Sequence, residues 1–326
     1  MKKIAGIDIG NYYIKLVELE YKKAQVVLTG CAVSRIVNGD IKSALKDIIS
    51  DAKFPLKRVN ASLSGPSVIM RYIEMPSMKE EELKSAIKFE AEKYIPFNVN
   101  ESIIDCAMLD KTASGSRRVL LVAAKKGDVA VLLELFKELG SEIGVIDVDS
   151  LALLNSFQRI SLDDAKDTTC ALINMGSKFS NMNIITQGNA YFTRDILWGG
   201  NDITDRIKDI KGVNAEEAER LKCNLAEKDS EVVGVISPVL ERLTSQIRMS
   251  FDYFESQFGK NVRKIYVSGG TAYLFNIVNF LKENLGVDTI MWNPFEGVEV
   301  EKSVTEKALI EMPSLFSVAV GLALRK

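Results

Sequence analysis

The sequence contains no histidine among its 326 residues. Imidazole is the usual general base near neutral pH and a common zinc ligand, so its absence excludes Ser–His and Cys–His nucleophilic dyads and histidine-based zinc sites. Any chemistry must therefore use carboxylates, lysine, amides, backbone groups or a metal ion held by oxygen atoms.

Cysteine is scarce as well. The four cysteines, Cys31, Cys106, Cys170 and Cys223, lie far apart, and none belongs to a Cys-x-x-Cys pair. This spacing does not indicate a disulfide framework or a zinc knuckle. The N-terminus also lacks the apolar core of a secretory signal, so we expect a reducing, cytoplasmic environment.

Long apolar runs and blocks of one charge are absent too. No stretch of about eighteen apolar residues, the length of a membrane-spanning helix, occurs. The 42 Lys and Arg residues balance 44 Asp and Glu residues without forming long basic segments. This distribution argues against nucleic-acid binding and direct membrane insertion, so any membrane association must come through a partner.

The sequence does contain two similar segments. Gly6-Ile7-Asp8-Ile9-Gly10-Asn11 and Leu172-Ile173-Asn174-Met175-Gly176-Ser177 each follow an apolar strand pattern and end in a glycine turn. Each is followed by two more predicted strands and a helix. This repeat predicts an internal duplication, and hence two similar α/β lobes. The chain length, which exceeds what one core usually holds, agrees with two lobes.

A different pattern interrupts the first lobe. Ser77 followed by Glu80 resembles a helix-capping box, Pro96 ends the predicted helix, and two strands and a helix closed by Gly140 follow. These elements predict an inserted α+β subdomain over residues 76–142. Further along, Ser237 and Pro238 are typical of a helix start, so a long amphipathic helix is predicted to begin there.

The first glycine turn carries candidate ligands for an anion and a metal ion. A carboxylate such as Asp8 at a strand end can hold Mg²⁺ through water, while the turn amides take phosphate oxygens. Lys15, on the next strand, can reach back to a phosphate. The alternatives are a turn-forming aspartate and a solvated lysine.

A second set of residues suits a nucleoside. Gly269 and Gly270 lie between a predicted strand and helix, where the absence of Cβ lets the backbone approach adenine or ribose. Glu219 and Lys222, three residues apart on a helix, can bind ribose hydroxyls and adenine edges. The alternatives are an ordinary turn and a surface ion pair.

Four segments in order resemble the signature of the actin, heat-shock chaperone and sugar-kinase ATPase superfamily: Asp8-Ile9-Gly10, Asn174-Met175-Gly176, Val267-Ser268-Gly269-Gly270, and residues 319–323. Met75-Pro76, residues 86–97, and residues 192–196 with Gly199-Gly200-Asn201 closely resemble the PilM family of type IV pilus assembly proteins. The second set is the more specific.

The resemblance implies a duplicated ribonuclease-H-like, actin-like two-lobe α/β fold with an inserted α+β subdomain of the FtsA type. The expected divisions are first-lobe core at 1–75 and 143–169, the insertion at 76–142, second-lobe core at 170–200 and 263–304, an outer helical subdomain at 201–262, and an interlobe closing helix at 305–326.

The resemblance also implies ATP or ADP with Mg²⁺ between the lobes. Asp8, Gly10, Asn11 and Lys15 would face the phosphates, Gly176 and Ser177 would oppose them, and Glu219, Lys222, Gly269 and Gly270 would hold the nucleoside. Asp8 would bind Mg²⁺ through water, with Asn174 as a further metal candidate. Asp149, together with Asp8, is a candidate catalytic carboxylate acting on metal-bound water.

A peptide partner follows from the same resemblance. A groove near the inserted subdomain would take the cytoplasmic N-terminal tail of the membrane protein PilN, and Tyr94, Ile95 and Phe97 are candidate groove residues, with core packing as their alternative role. Other inner-membrane pilus assembly proteins are further expected partners, and self-association is allowed. The protein would then lie at the inner face of the cytoplasmic membrane through a partner.

Two departures from the family pattern bear on hydrolysis. The second turn has Asn174 where the pattern has aspartate, and Asn11-Tyr12-Tyr13 replace small hydroxyl residues in the first. An amide lacks the negative charge that orders Mg²⁺ and its water, so we expect nucleotide binding with at most slow hydrolysis.

Two other functions stay open within the superfamily. A small-molecule kinase would need a base or charged clamp for its acceptor, and none is evident outside the nucleotide turns. An FtsA-like division protein would need a basic amphipathic membrane helix after the core. The apolar run at residues 315–324 predicts a buried helix between the lobes instead.

Overall fold

The computed structural model describes residues 2–22, 25–52, 56–111, 115–160, 168–226 and 230–325. The predicted polar break at residues 161–167 lies outside this part of the chain. The first lobe and its insertion contain β1 (Lys2–Ile9), β2 (Tyr13–Lys22), β3 (Gln25–Arg35), α1 (Ile41–Asp51), β4 (Arg58–Leu63), β5 (Val68–Met75), α2 (Glu80–Ala91), β6 (Ser102–Lys111), β7 (Arg117–Lys125), α3 (Lys126–Glu138), β8 (Glu142–Val148) and α4 (Asp149–Ile160).

The second lobe and the C-terminal segment follow in the same way. They contain β9 (Cys170–Met175), β10 (Ser180–Thr186), β11 (Asn189–Ile196), α5 (Gly200–Lys211), α6 (Ala215–Cys223), α7 (Ser230–Phe258), β12 (Lys264–Ser268), α8 (Ile277–Leu285), β13 (Asp288–Met291), β14 (Glu299–Val300), α9 (Lys307–Glu311) and α10 (Ser317–Ala323). Within the described residues, no helix is both long and apolar enough to cross a membrane.

The two main sheets have the same strand order. The first runs β3-β2-β1-β4-β8, with β14 added beside β3, and the second runs β11-β10-β9-β12-β13. In both, the first three strands form an antiparallel meander and the next two are parallel to the central strand. The predicted duplication into two α/β lobes is therefore confirmed.

Both faces of the first sheet are covered. Along β2, Ile14 and Leu16 pack into a core shared with α1 and α3, whereas Val17 and Leu19 contact the core that includes Phe316 and α10. Because successive side chains of a strand point to opposite faces, such a strand needs apolar residues on both sides. This requirement explains its apolar run.

The two lobes meet where α4 and α10 cross. All seven residues of α10 are buried. The predicted closing helix over residues 305–326 is divided, because α9, a 3₁₀ turn at Pro313–Phe316 and α10 follow one another there. A Cβ placed on Gly321 would lie 1.7 Å from the Ala152 carbonyl oxygen of α4, and one on Gly6 would lie 2.3 Å from that of Ala319. Glycine at both positions therefore permits backbone contact at the junction.

The insertion is a three-stranded sheet, β5-β7-β6, with α2 packed against it. Residues 68–75 were predicted to belong to the first-lobe core, but β5 pairs along its length with β7. Conversely, Leu132 and Phe136 of α3 pack into the core of the first lobe. Propensity did not reveal either contact, because both depend on which sheet the element joins.

Two predicted helix starts are wrong. Helix α2 begins at Glu80 and is preceded by Lys79, whose backbone N–H donates to the Glu82 carboxylate at 3.0 Å, so Ser77 is not its cap. Helix α7 begins at Ser230, with Pro238 inside it. The helix continues through this proline because residues before and after it, Val232 and Leu240 among them, pack into the second-lobe core.

Candidate functional site

The two glycine turns have the same local geometry. Gly10 donates its N–H to the Tyr13 carbonyl at 3.1 Å, and Gly176 donates to the Phe179 carbonyl at 3.2 Å. A Cβ would lie 2.9 Å from the Tyr13 oxygen at the first glycine and 2.7 Å from the Phe179 oxygen at the second. The duplication therefore extends to the turns themselves, which require glycine for a tight hairpin.

Both turns open into one cavity of about 250 Å³ between the lobes. Eleven of the sequence-predicted site residues line it: Asp8, Gly10, Asn11, Lys15, Asp149, Asn174, Gly176, Ser177, Glu219, Lys222 and Gly270. Gly269 lies behind the wall, where a Cβ would be 2.4 Å from the Met175 carbonyl oxygen and where φ is +89°. Its role in the structure is to permit this contact between strands.

The phosphate-facing side of the cavity contains an ion pair. Asp8 and Lys15 are cross-strand partners on β1 and β2, and Lys15 Nζ lies 2.6 Å from Asp8 Oδ2. The ammonium also donates to the Tyr13 carbonyl at 3.4 Å. The lysine is thus held at the mouth of the first turn, where it can contact an anion without first being ordered.

A second carboxylate, Asp149, lies at the start of α4. Burial and the negative charge of Asp8 raise the pKa of the Asp149 carboxyl from 3.8 to about 7, although Ser62, which donates to it at 2.6 Å, favours the charged form. A divalent cation would relieve the repulsion between the two carboxylates. The described residues contain no group of three or more acidic, histidine or cysteine side chains arranged for a metal, so phosphate oxygens would have to complete the coordination.

The opposite side of the cavity is formed by α6. Lys222 Nζ lies 2.6 Å from Glu219 Oε2, and the Thr204 hydroxyl donates to the same oxygen at 2.6 Å. Burial raises the pKa of the Glu219 carboxyl, but these hydrogen bonds lower it by more, so the net shift is downward. A charged carboxylate beside an ammonium offers both an acceptor and a donor to sugar hydroxyls.

Several other residues of the site were not among the predicted ligands. Thr271 donates its hydroxyl to the Gly176 carbonyl at 2.7 Å, and Ser268 donates to Asn174 Oδ1 at 3.3 Å, so the segment after β12 supports the second turn. Ser64, Tyr273 and Phe179 also line the cavity. Thr271 adjoins the Gly-Gly pair and could have been predicted from it, whereas no sequence pattern indicates a ligand role for Tyr273.

The predicted partner-groove residues have different surroundings. Ile95 is 8% exposed and belongs to the core of the inserted subdomain, so its side chain is not available to a ligand. Phe97 packs against that core and lines a cavity of about 550 Å³ beside Lys125 and Lys126. Tyr94 is partly exposed at the end of α2. For Ile95, core packing is the role that the structure supports.

A larger cavity of about 640 Å³ separates β5 of the insertion from β11 of the second lobe. It is lined by five consecutive residues from each strand, 68–72 and 191–195, and by exposed Leu197 and Tyr253 at its rim. Within the described sheets, β5 pairs only with β7 and β11 only with β10. We call this cavity the β5–β11 groove; each of its walls is a strand with a free edge.

Comparison with known proteins agrees with this architecture. A sequence model of the family described as type IV pilus assembly protein PilM matches residues 6–326. The structure of a PilM-PilN type IV pilus biogenesis complex is 28% identical, covers 99% of this chain and 98% of that chain, and superposes with a TM-score of 0.90.

More distant structures share the fold. The ethanolamine utilization protein EutJ from Carboxydothermus hydrogenoformans is 14% identical over 99% of this chain and 90% of that chain, with a TM-score of 0.57. A diol dehydratase-reactivating factor is 9% identical over 99% of both chains, with a TM-score of 0.58. The expected actin-like two-lobe α/β fold is confirmed, and the family match across nearly the whole sequence shows that the chain belongs to the PilM family of type IV pilus assembly proteins.

Proposed function

We propose that this pilus assembly protein is a nucleotide-binding scaffold, which holds ATP or ADP with Mg²⁺ between its lobes and presents a groove to the cytoplasmic tail of PilN. The observation that carries the nucleotide half of the proposal is the pair of equivalent turns, Gly10 to Tyr13 and Gly176 to Phe179, facing one cavity. Two glycine turns that border one cleft suit a chain of phosphates.

The cavity side chains fit the remaining parts of a nucleotide. Lys15 supplies a positive charge for a phosphate, and the Glu219–Lys222 pair supplies an acceptor and a donor for ribose. Gly270 has only the Leu315 side chain within 4 Å of an added Cβ, at 3.5 Å, so a flat ring can approach its backbone. All of these groups line the one cavity.

Asp8 and Asp149 are the residues that would hold Mg²⁺, through water and together with phosphate oxygens. Bound there, the cation would neutralise phosphate charge. Asn174 precedes the second turn as Asp8 precedes the first. A carboxylate at this position would be the third in the site, but the amide of Asn174 adds no negative charge. The proposal is therefore a nucleotide that binds and is hydrolysed slowly or not at all.

A thermal-shift titration tests the nucleotide half directly. With ATP and Mg²⁺ at about one hundred times the dissociation constant, ligand binding stabilises a folded protein by about 2.7 kcal/mol, which is a readily measured rise in melting temperature. AMP, which lacks the β- and γ-phosphates, is the matched control. No rise with either ATP or ADP would overturn this half of the proposal.

For the PilN tail, the β5–β11 groove is the site that we propose. An extended peptide can pair with a free strand edge through its backbone while its side chains enter pockets along the strand. The groove offers two such edges and an aromatic lining that includes Tyr191, Phe192 and Tyr253. The structure of a related PilM-PilN type IV pilus biogenesis complex supports PilN as the source of the peptide.

A fluorescently labelled synthetic peptide of the PilN tail from the same organism tests the location. Leu197, 80% exposed at the groove rim, is changed to Glu, and Val131, 68% exposed on α3, is changed to Glu as the matched control. We expect Leu197→Glu to weaken peptide binding about tenfold or more, because it places an unpaired charge against an apolar contact, and Val131→Glu to leave it unchanged. Loss of binding in Phe97→Ala with normal binding in Leu197→Glu would move the site to the cavity beside Phe97.

A further inference from the structure

The cavity between the lobes is small for the ligand proposed for it. Small-molecule pockets in proteins usually measure about 300–1,000 Å³, and this cavity measures about 250 Å³. Part of its wall must therefore move when a nucleotide enters or leaves. We infer that the moving part is the Tyr12 side chain, which gates nucleotide exchange. The inference rests on the proposed nucleotide binding and specifies what controls its rate.

Tyr12 lies at the tip of the β1–β2 hairpin, on the first-lobe side of the cavity. Its side chain lines the cavity and is partly exposed. Burial raises the pKa of the Tyr12 phenol to about 12, and the negative charge of Glu219 is the next cause of the rise. Because Glu219 belongs to α6 of the second lobe, the Tyr12 ring faces that helix across the cleft.

The facing side of the opening is the last turn of α6. Cys223, the final residue of this helix, is exposed and lines the cavity, whereas the side chains of Glu219 and Lys222 are only 18% and 11% exposed. The end of α6 at Cys223 is therefore where the cavity meets solvent. Tyr12 and Cys223 lie on opposite sides of this opening.

The backbone around Tyr12 is held in place. The Tyr12 carbonyl accepts the Ile36 N–H at 2.8 Å, and the Tyr13 carbonyl accepts the Gly10 N–H at 3.1 Å. These hydrogen bonds tie the hairpin tip to the end of β3 and close the first glycine turn. The Tyr12 ring therefore moves by rotation of its side chain, while the turn beneath it stays fixed.

Two contacts favour the position of the ring over the opening. The Arg35 guanidinium lies 5.0 Å from the centroid of the Tyr12 ring, and the Tyr13 ring meets it edge to face, with 4.8 Å between centroids. A contact of either kind favours the closed position by about two- to tenfold. Both partners belong to the first lobe, so these contacts are the same with and without a ligand.

This arrangement predicts a specific kinetic behaviour. A side chain that blocks an opening without binding the ligand slows entry and exit by the same factor, because both require the open position. The dissociation constant, which is the ratio of the two rate constants, does not change. A residue that binds the ligand directly differs, because its loss speeds dissociation and weakens affinity.

The experiment measures both rate constants with radiolabelled ADP and Mg²⁺ by rapid filtration, since this probe leaves the ribose and base unmodified. Tyr12→Ala should raise the association and dissociation rate constants together by about fivefold or more, because it removes the ring and both of its contacts. Arg35→Gln, which keeps the ring, should raise both by about two- to fivefold. Tyr12→Phe keeps the ring and should exchange ADP as the wild type does.

Phe89→Ala is the matched control, because Phe89 is 76% exposed on α2 and lies outside the cavity. It should change neither rate constant. Unchanged rates in Tyr12→Ala, or faster dissociation without faster association, would overturn the gate and leave the proposed nucleotide site intact. If the wild-type protein binds no ADP, the proposed function fails and the gate with it. Thermal unfolding checks each variant, and Arg35→Gln decides by the same criteria if Tyr12→Ala does not fold.

Discussion

Lys15 and Asp8 form a salt bridge of 2.6 Å in which both side chains are more than nine-tenths buried, at the edge of a cavity wide enough for a ligand. In the absence of an anion, the carboxylate is the counter-ion that keeps the ammonium ordered. If a phosphate binds there as proposed, the same ammonium would gain a second partner, and Asp8 would be free to interact with water around a cation. The ion pair would thus keep the Lys15 side chain beside the first turn both before and after a phosphate binds.

Lys15→Ala is expected to weaken ATP binding by about tenfold to a hundredfold, the range for losing a charged hydrogen bond. It should also lower the free energy of unfolding of the ligand-free protein by about 1–3 kcal/mol, because Asp8 is left without its counter-ion. Isothermal titration calorimetry and chemical denaturation measure the two effects. Lys22→Ala, on the same strand in a more exposed pair with Glu20, is the control and should change neither. Unchanged ATP affinity in Lys15→Ala would contradict a phosphate-binding role.

Asn174→Asp should increase Mg²⁺-dependent ATP hydrolysis. The substitution keeps the size of the side chain and the oxygen that accepts from Ser268, and it adds a negative charge opposite Asp8 and Asp149 that can order a cation and its water. We expect at least about a tenfold rise in turnover, since a positioned general base typically contributes about a hundredfold or more. Phosphate release is measured with Mg²⁺ and with EDTA, and Asn174→Ala is the control. If the aspartate variant hydrolyses no faster than wild type, the amide is not what limits the reaction.

Asp149 should make the stability of the ligand-free protein depend on pH. Burial and the charge of Asp8 raise its pKa from 3.8 to about 7. Because the folded-state value is the higher one, the stabilising effect of the bound proton is fully present below pH 3.8 and is lost as pH rises through about 7. Asp149→Asn should therefore melt at a higher temperature than wild type at pH 8, with the difference shrinking towards pH 4. Asp209→Asn, at an exposed position of α5, is the control. A constant difference across the pH range would show that Asp149 binds a proton no more tightly in the folded protein than in the unfolded chain.

Much of the fold was predictable because its strongest signals are local. The two apolar strands ending at Gly10 and Gly176 repeat one pattern, and that pattern corresponds to the two central strands and the two turns. What local patterns did not reveal is which sheet a strand joins. Residues 68–75 form an ordinary strand by composition, and only the pairing of β5 with β7 assigns them to the insertion.

The residues of the site also fall into those that the local sequence predicts and those that it does not. Residues beside glycine turns or strand ends, such as Asp8 and Ser177, were predictable from their neighbours in sequence. Tyr273 and Phe179 lie close to these turns in sequence, but an aromatic side chain there is equally typical of core packing, so the sequence did not single them out. Ile95 shows the converse, since its apolar character fits a groove and a core equally well, and the packing of α2 on its sheet decides for the core.

Pro238 was taken as a helix start, and its place inside α7 leads to a further prediction. Proline cannot donate the backbone hydrogen bond of a helix interior, and its ring crowds the preceding turn. The residue is exposed, so replacement leaves no core cavity. Pro238→Ala should raise the free energy of unfolding by about 1–3 kcal/mol, and Gly234→Ala, one turn earlier, by about 0.5–1 kcal/mol. Chemical denaturation measures both. Destabilisation by Pro238→Ala would indicate that a bend at this proline is needed for packing in the second lobe.

Gly321 offers the sharpest test of how the lobes are joined. A Cβ there would lie 1.7 Å from the Ala152 carbonyl oxygen, which belongs to helix backbone and cannot rotate away. Gly321→Ala must therefore push α10 and α4 apart, and overpacking in a buried contact costs about 1–3 kcal/mol or more. Because nucleotide would bind between the lobes that these helices join, ATP affinity should fall together with stability. Gly127→Ala, in α3, is the matched control, because nothing lies within 4 Å of its added Cβ and alanine favours a helix. If Gly321→Ala kept wild-type stability and ATP affinity, the close crossing of α4 and α10 would not be what fixes the two lobes relative to each other.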